Sequence, residues 1–151
     1  MSKIKILPFE VKHTKSFEVI NREWIEEYIG MTSEDERILA DPQSEIINQG
    51  GTIFLAEYEG DIVGTICLLK TPKGFIIAKL GVLKLYRGKG IGKLLCEAMI
   101  ELARNRGIEN LHLETSQKLE SAIALYKRLQ FEEINTDQRS ARCDIQMSLK
   151  L

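Results

Sequence analysis

Two hydrophobic periods alternate along the chain, and their order predicts its elements. Residues 3–11 mix apolar and charged positions in a strand-like segment, with Pro8 marking an edge or a bulge. Over 13–29 the spacing turns helical, with Phe17, Ile20, Trp24, Ile25 and Tyr28 on one stripe. Thr32 or Ser33 is placed to cap a short second helix, and Asp41-Pro42 either ends it or starts another turn that reaches Asn48. Gly50-Gly51 is a break. A β-meander follows, with strands over 52–57 and 62–69, turns at 59–61 and 71–74, and a nearly continuous apolar run over 75–83 that suits a central strand covered on both faces. Ile91, Leu94, Leu95, Ala98, Met99, Leu102 and Ala103 then keep i, i+3, i+4 spacing, which predicts a helix over 91–106 stopped by Gly107. A short strand is expected over 111–115 and a helix over 119–129. Along 142–151 the alternation of Cys143, Ile145, Met147, Leu149 and Leu151 with polar residues predicts a half-buried strand.

This order of elements describes an α+β fold, with one mixed central sheet flanked by helices. The length of 151 residues, without an internal repeat or linker, points to a single domain over 1–151. Composition changes the picture mainly by exclusion. A net charge of −1 leaves no electrostatic footprint for nucleic acid. No apolar run approaches the ~18 residues needed to span a membrane, and the first ten residues lack the apolar core of a signal peptide. Cys67, Cys96 and Cys143 lie far apart in apolar patterns and read as small core residues in a reducing compartment. Neither His13 nor His112 sits in a nucleophile motif, and no spacing suggests a metal site. A cytoplasmic protein without a metal is expected.

The candidate chemistry lies between the 75–83 run and the 91–106 helix, in Tyr86-Arg87-Gly88-Lys89-Gly90-Ile91-Gly92. Clustered glycines weaken a helix by up to about 1 kcal/mol each, so they have no packing purpose there. They make sense where a backbone must come close to a ligand. A helix N-terminus offers unpaired N–H groups and a partial positive charge, and glycines let a phosphate reach them. The spacing is neither that of a P-loop nor the G-x-G-x-x-G of a dinucleotide fold.

Arg87, Gly90 and Gly92 form R-x-x-G-x-G, which resembles the pyrophosphate-binding signature of the GCN5-related N-acetyltransferases. The preceding Leu80-Gly81-Val82 is similar to that family's cofactor-binding strand. The segment from Ala122 through Tyr126 to Gln130-Phe131 is similar to its second signature, in which a helix carries a tyrosine and ends before a Gly-Phe pair. The resemblance covers roughly residues 51–151. It implies acetyl-CoA as co-substrate, held in a cleft between two splayed parallel strands. Leu80 and Val82 would lie along its arm, and Arg87, Gly88, Lys89, Gly90, Ile91, Gly92 and Lys93 around its pyrophosphate. The strand is expected to splay at Gly81 and Val82, and a bulge at Gly81 is compatible with this.

Acetyl transfer to an amine also needs an oxyanion donor, an acid for the leaving thiolate and a base. A backbone N–H near Val82 is the expected donor. Tyr126 falls at the family's tyrosine position and is the candidate acid, although it also shares an apolar stripe with Leu119, Ala122, Ile123 and Leu129. Glu114 is the candidate base; a water chain without a dedicated base stays open. Leu119 stands where the family usually has an asparagine, and Ser116, Gln117 and Ser121 are alternative polar contacts. Gln130 replaces the glycine and implies a strained or different helix end. The acceptor that the resemblance implies is a primary amine of a small molecule or a peptide. Glu23, Glu26, Glu27, Glu34, Asp35 and Glu36, with Trp24 and Tyr28, are read either as an attractive wall for a cationic amine or as a solvated helix face. A non-catalytic acyl-CoA-binding module remains the rival, and edge-strand pairing leaves room for a homodimer.

Overall fold

The computed structural model describes residues 3–135 and 142–151. Its organisation follows from alternation in the strands. In β2 (Thr52–Tyr58), Ile53 and Leu55 point to one face and Phe54 and Ala56 to the other, so both faces demand cover. β3 (Asp61–Thr71) repeats this with Cys67 on one side and Ile66 and Leu68 on the other. Helices supply the cover. α1 (Thr14–Tyr28) and α2 (Ser33–Ala40) bury Phe17, Ile38 and Leu39 against Ile53, Leu55 and Cys67. α4 (Ile91–Asn105) and α5 (Glu120–Arg128) bury Ile91, Leu95, Met99, Leu125 and Tyr126 against Ala56, Ile66 and Leu68. Each fully buried Leu or Phe contributes about 1.5–3 kcal/mol relative to exposure.

With β1 (Ile4–Pro8), β4 (Gly74–Val82), β5 (Asn110–Thr115), β6 (Glu132–Ile134) and β7 (Ile145–Lys150), the seven strands stand in the order β1-β2-β3-β4-β5-β7-β6. β1, β2, β3 and β4 form the expected antiparallel meander. β4 then pairs in parallel with β5, and the crossover such a pair requires is α4. β7 inserts antiparallel between β5 and the three-residue β6.

Local chemistry sets the element ends. Thr32 caps α2: its hydroxyl accepts from the Asp35 N–H at 3.1 Å, and the Asp35 carboxylate accepts from the Thr32 N–H at 3.2 Å. Both readings of Asp41-Pro42 hold together, because Asp41 ends α2 and its carboxylate then caps the short α3 (Pro42–Glu45). The first strand is shorter than the expected 3–11, since residues 11–13 wind into a 3-10 turn. α4 and α5 close alike. Gly107, at φ +74°, lets the Ile108 N–H reach the Ala103 carbonyl. Gln130, at φ +76°, does the same for the Phe131 N–H and the Tyr126 carbonyl. The family's glycine position is thus kept in shape by a glutamine, at a strain of about 1–2 kcal/mol.

Candidate active site

β4 and β5 are hydrogen-bonded only where Phe75, Ile76 and Ile77 face Leu111, His112 and Leu113. Beyond Ile77 they part. β5 continues against β7 to Thr115, and β4 continues against β3 to Val82. The cause is a bulge in β4: Ala78 faces Cys67 and Gly81 faces Thr65, so Lys79 and Leu80 together oppose Ile66. Lys79 takes the left-handed conformation, at φ +55°. The bulge therefore lies two residues before the expected Gly81. On the far side of it the Leu83 N–H bonds the Val63 carbonyl at 2.8 Å. Successive strand N–H groups alternate in direction, so the Val82 N–H points away from β3, into the opening. Leu80, half-buried, lies between the bulge and Val82.

Gly81 has a packing reason instead. A Cβ on it would lie 2.5 Å from Cδ1 and Nε1 of Trp24, whose ring is fixed by a hydrogen bond from Nε1 to Asn21 Oδ1 at 2.9 Å. Asn21 is itself fully buried and donates to the Phe17 carbonyl at 3.0 Å. Gly81→Ala is expected to lower stability by about 1–3 kcal/mol through overpacking. Thermal melts should show Trp24→Leu partly suppressing that loss; additive losses would mean that the ring is not what excludes the Cβ.

The glycine turn lies at the open end of β4. After a 3-10 turn at Lys84–Tyr86 the chain passes through Gly88 and Gly90, both at φ +82° with nothing within 4 Å of a built Cβ. α4 then starts without a side-chain cap, and its first N-terminal bond joins the Leu94 N–H to the Gly90 carbonyl at 3.2 Å. Among the described residues, no protein group accepts from the N–H groups of residues 88–93. They form a row of free donors at the positive end of a helix. The side chains have separate duties. Ile91 is 2% exposed in the core, the Lys89 ammonium sits 5.4 Å from the Tyr58 ring centre, and Lys93 is exposed. A Cβ on Gly92 would meet Leu125 at 3.5 Å, an ordinary contact, so Gly92 is not required by crowding.

Arg87 turns away from this row. Its Nε donates to the Val82 carbonyl at 3.1 Å, its Nη1 lies 3.4 Å from the Tyr28 hydroxyl, and its Nη2 is 3.8 and 3.9 Å from Glu23 and Glu27. The guanidinium thus ties the turn to α1, away from the free N–H groups of 88–93. Glu23 also accepts from the Lys84 N–H at 2.8 Å.

Tyr126 is 7% exposed and packs 5.7 Å from the Phe131 ring. Among the described residues no group bonds its hydroxyl, and no side-chain polar atom is both sealed from solvent and unpartnered. The hydroxyl therefore reaches solvent at the edge of the core. Burial, with the neighbouring Cys96, pushes its pKa well above the usual phenol value and keeps it protonated. Glu114 is exposed on β5, on the face opposite Leu111 and Leu113, with Gln146 of β7 directly across. Tyr126 and Glu114 thus belong to opposite faces of the sheet, on either side of the parted strands. Of the alternative polar contacts, Gln117 is bound to Asp144 through its backbone and side chain, and the Ser116 oxygen accepts from the Lys118 N–H at 3.2 Å. Ser121 is exposed on α5, and Leu119 is that helix's first flanking residue.

Three residues that sequence reasoning did not join meet beside the bulge. The Asp35 carboxylate, 3% exposed, accepts from the Lys79 ammonium and from the Arg142 guanidinium, each at 2.5 Å. Burial raises the Asp35 pKa, but the bonds from Arg142 and Lys79 outweigh it and hold the group well below the usual carboxylate range. Asp35 thus leaves the acidic set that was read as a wall or a solvated face. Arg22 pairs with Glu18, Glu26 and Glu36 on the same surface. Cys67 and Cys96 are buried, with Cys96 pushed up to about 12 by burial, and Cys143 is half-buried. No helix among the described residues is long and apolar enough to cross a membrane.

A mixed sheet with parted central strands and a glycine turn of free N–H donors at their open end defines an α+β protein with a donor-lined opening along one strand. The chain belongs to the acetyltransferase (GNAT) family, whose model matches residues 17–131. It is 36% identical over 115 residues to the uncharacterized N-acetyltransferase YjgM of Escherichia coli K12, covering 70% of this chain and 69% of that one. It spans only 44% of the length of two rodent relatives. A GNAT-family acetyltransferase from Staphylococcus aureus Mu50 superposes with a TM-score of 0.85 at 23% identity, covering 97% and 98% of the two chains. PaiA N-acetyltransferase from Thermoplasma acidophilum, solved in complex with coenzyme A, gives 0.76 at 20% identity over the full length of both. These two likenesses establish the fold.

Proposed function

We propose that this chain is an acetyl-CoA-dependent N-acetyltransferase, acting on the primary amine of a small molecule or peptide by direct attack in a ternary complex. The observation that carries the reading is the row of unpartnered N–H groups over 88–93, set at the mouth of the β4–β5 opening. The pyrophosphate of acetyl-CoA suits that row, and the pantetheine arm suits the free edge of β4. The coenzyme A complex of the Thermoplasma relative supports the same ligand. Buried cysteines without disulfides suit a cytoplasmic setting.

In this reading the Val82 N–H stabilises the thioester oxygen as charge develops on it. The amine nitrogen attacks the carbonyl carbon and the carbon–sulfur bond breaks. Tyr126 gives its proton to the leaving thiolate, although burial makes the phenol a weaker acid, and the amine proton passes to Glu114, directly or through water. Buried and far from any nucleophile arrangement, Cys67 and Cys96 offer no covalent intermediate.

The test is chromatographic detection of CoA release from acetyl-CoA against a broad panel of amines. Release with one amine class identifies the acceptor together with the activity. Retention of acetyl-CoA without release to any amine selects a non-catalytic binding module instead. With an acceptor in hand, Tyr126→Phe is expected to slow turnover at least about tenfold. Unchanged turnover would remove Tyr126 from the reaction.

A further inference from the structure

Lysine is an unfavourable residue for the backbone at position 79. The bulge places it in the left-handed region, at φ +55°, where glycine is the usual occupant. Its ammonium is also withdrawn from water: the side chain is 10% exposed and ends on an Asp35 carboxylate that is 3% exposed. Strain and desolvation both oppose this arrangement.

Neither is needed by the glycine turn, which lies beyond the far end of β4. Both are accounted for if the arrangement sets the bulge itself. Asp35 is a fixed anchor, because its backbone and carboxylate close the cap of α2 with Thr32. Arg142, just before β7, grips the same carboxylate and donates to the Gly30 carbonyl at 3.2 Å. At the backbone of the same residue, the Thr65 hydroxyl donates to the Lys79 carbonyl at 2.8 Å. Residue 79 is therefore clamped at both its side chain and its carbonyl, while Gly81 is held under the Trp24 ring. The direction of the Val82 N–H follows from where this clamp lets β4 re-enter its pairing with β3 at Gly81 and Val82.

We propose that Lys79, tethered by Asp35 and Arg142, is a positioning residue that sets the β4 bulge and so aims the Val82 N–H at the thioester oxygen of the bound acyl donor. This rests on the acetyltransferase reading. The cluster touches no reacting atom; it acts through the strand.

The informative variant is Lys79→Gly, which suits the left-handed backbone and keeps the fold while removing the tether. Acetyl-CoA carrying 13C at the acetyl carbonyl reports the polarisation of the thioester directly by NMR. For the unmodified protein a downfield displacement of that carbonyl on binding is expected. In Lys79→Gly the displacement should fall by at least about half and kcat by about tenfold to a hundredfold, with CoA affinity within about threefold, because the 88–93 donors are untouched. Lys79→Arg, which retains a cation, should restore both, and Asp35→Asn should resemble Lys79→Gly. Lys79→Gly with the displacement and kcat of the unmodified protein would overturn the proposal alone, as would a bound carbonyl that is not displaced in the unmodified protein. Absence of CoA binding to the unmodified protein would overturn the acetyltransferase reading and this proposal with it.

Discussion

Gly90→Asp is expected to raise the dissociation constant for acetyl-CoA at least about fiftyfold while leaving the fold intact. Aspartate is among the few non-glycine residues that tolerate φ near the +82° of Gly90, and nothing lies within 4 Å of its Cβ position. Its carboxylate would also sit favourably at the α4 N-terminus, worth about 0.3–1 kcal/mol, which offsets most of the backbone strain. The same negative charge stands where the pyrophosphate would meet the N–H groups of 88–93, and like charges at that distance exclude one another. Calorimetric titration with acetyl-CoA, beside a thermal melt, separates the two effects. Lost binding with a melting temperature within about 5 °C supports the site. Retained affinity would place the phosphate elsewhere.

Asp35→Ala is expected to lower stability by about 3–5 kcal/mol, because it leaves Lys79 and Arg142 without the carboxylate they share in a nearly closed site. For a chain of this size that is about 6–20 °C in melting temperature. The effect carries a pH signature. The folded-state pKa of Asp35 lies below its unfolded value, so the unfolded chain binds more protons as the pH falls. The stabilisation is therefore complete above the unfolded value of about 4 and is lost progressively below it. Melts between neutral pH and pH ~3 should show the gap between the unmodified protein and Asp35→Ala constant at first, then narrowing below pH ~4. A gap that stays constant throughout would mean that the carboxylate titrates alike in both states.

Much of the fold was legible because its elements are strongly patterned. α4 begins at Ile91 and ends one residue before the expected Arg106, and the meander strands fall on the anticipated segments. Boundaries moved where local competition decided them, as at residues 11–13, where a 3-10 turn takes over from the strand. Gln130 was legible as a departure, and its left-handed backbone confirms strain rather than a different helix end. The bulge was misplaced by two residues because a glycine marks such sites by default, and here Gly81 answers to Trp24 while a lysine holds the bulge. In the candidate site, Arg87 has the expected position in the chain but a side chain turned to α1, since Glu23, Glu27 and Tyr28 lie within its reach.

By itself the sequence determined what depends on near neighbours: the order of strands and helices, the helix caps, and the glycine turn whose free N–H groups need only the residues beside them. The tertiary structure alone decided what depends on groups far apart in the chain. Asp35 reads as one acid among several until α2 brings it to Lys79, 44 residues on, and to Arg142, 107 residues on. Charge at long range carries no periodic signal along a chain; it acquires a partner, and a meaning, only when packing removes the water between the two.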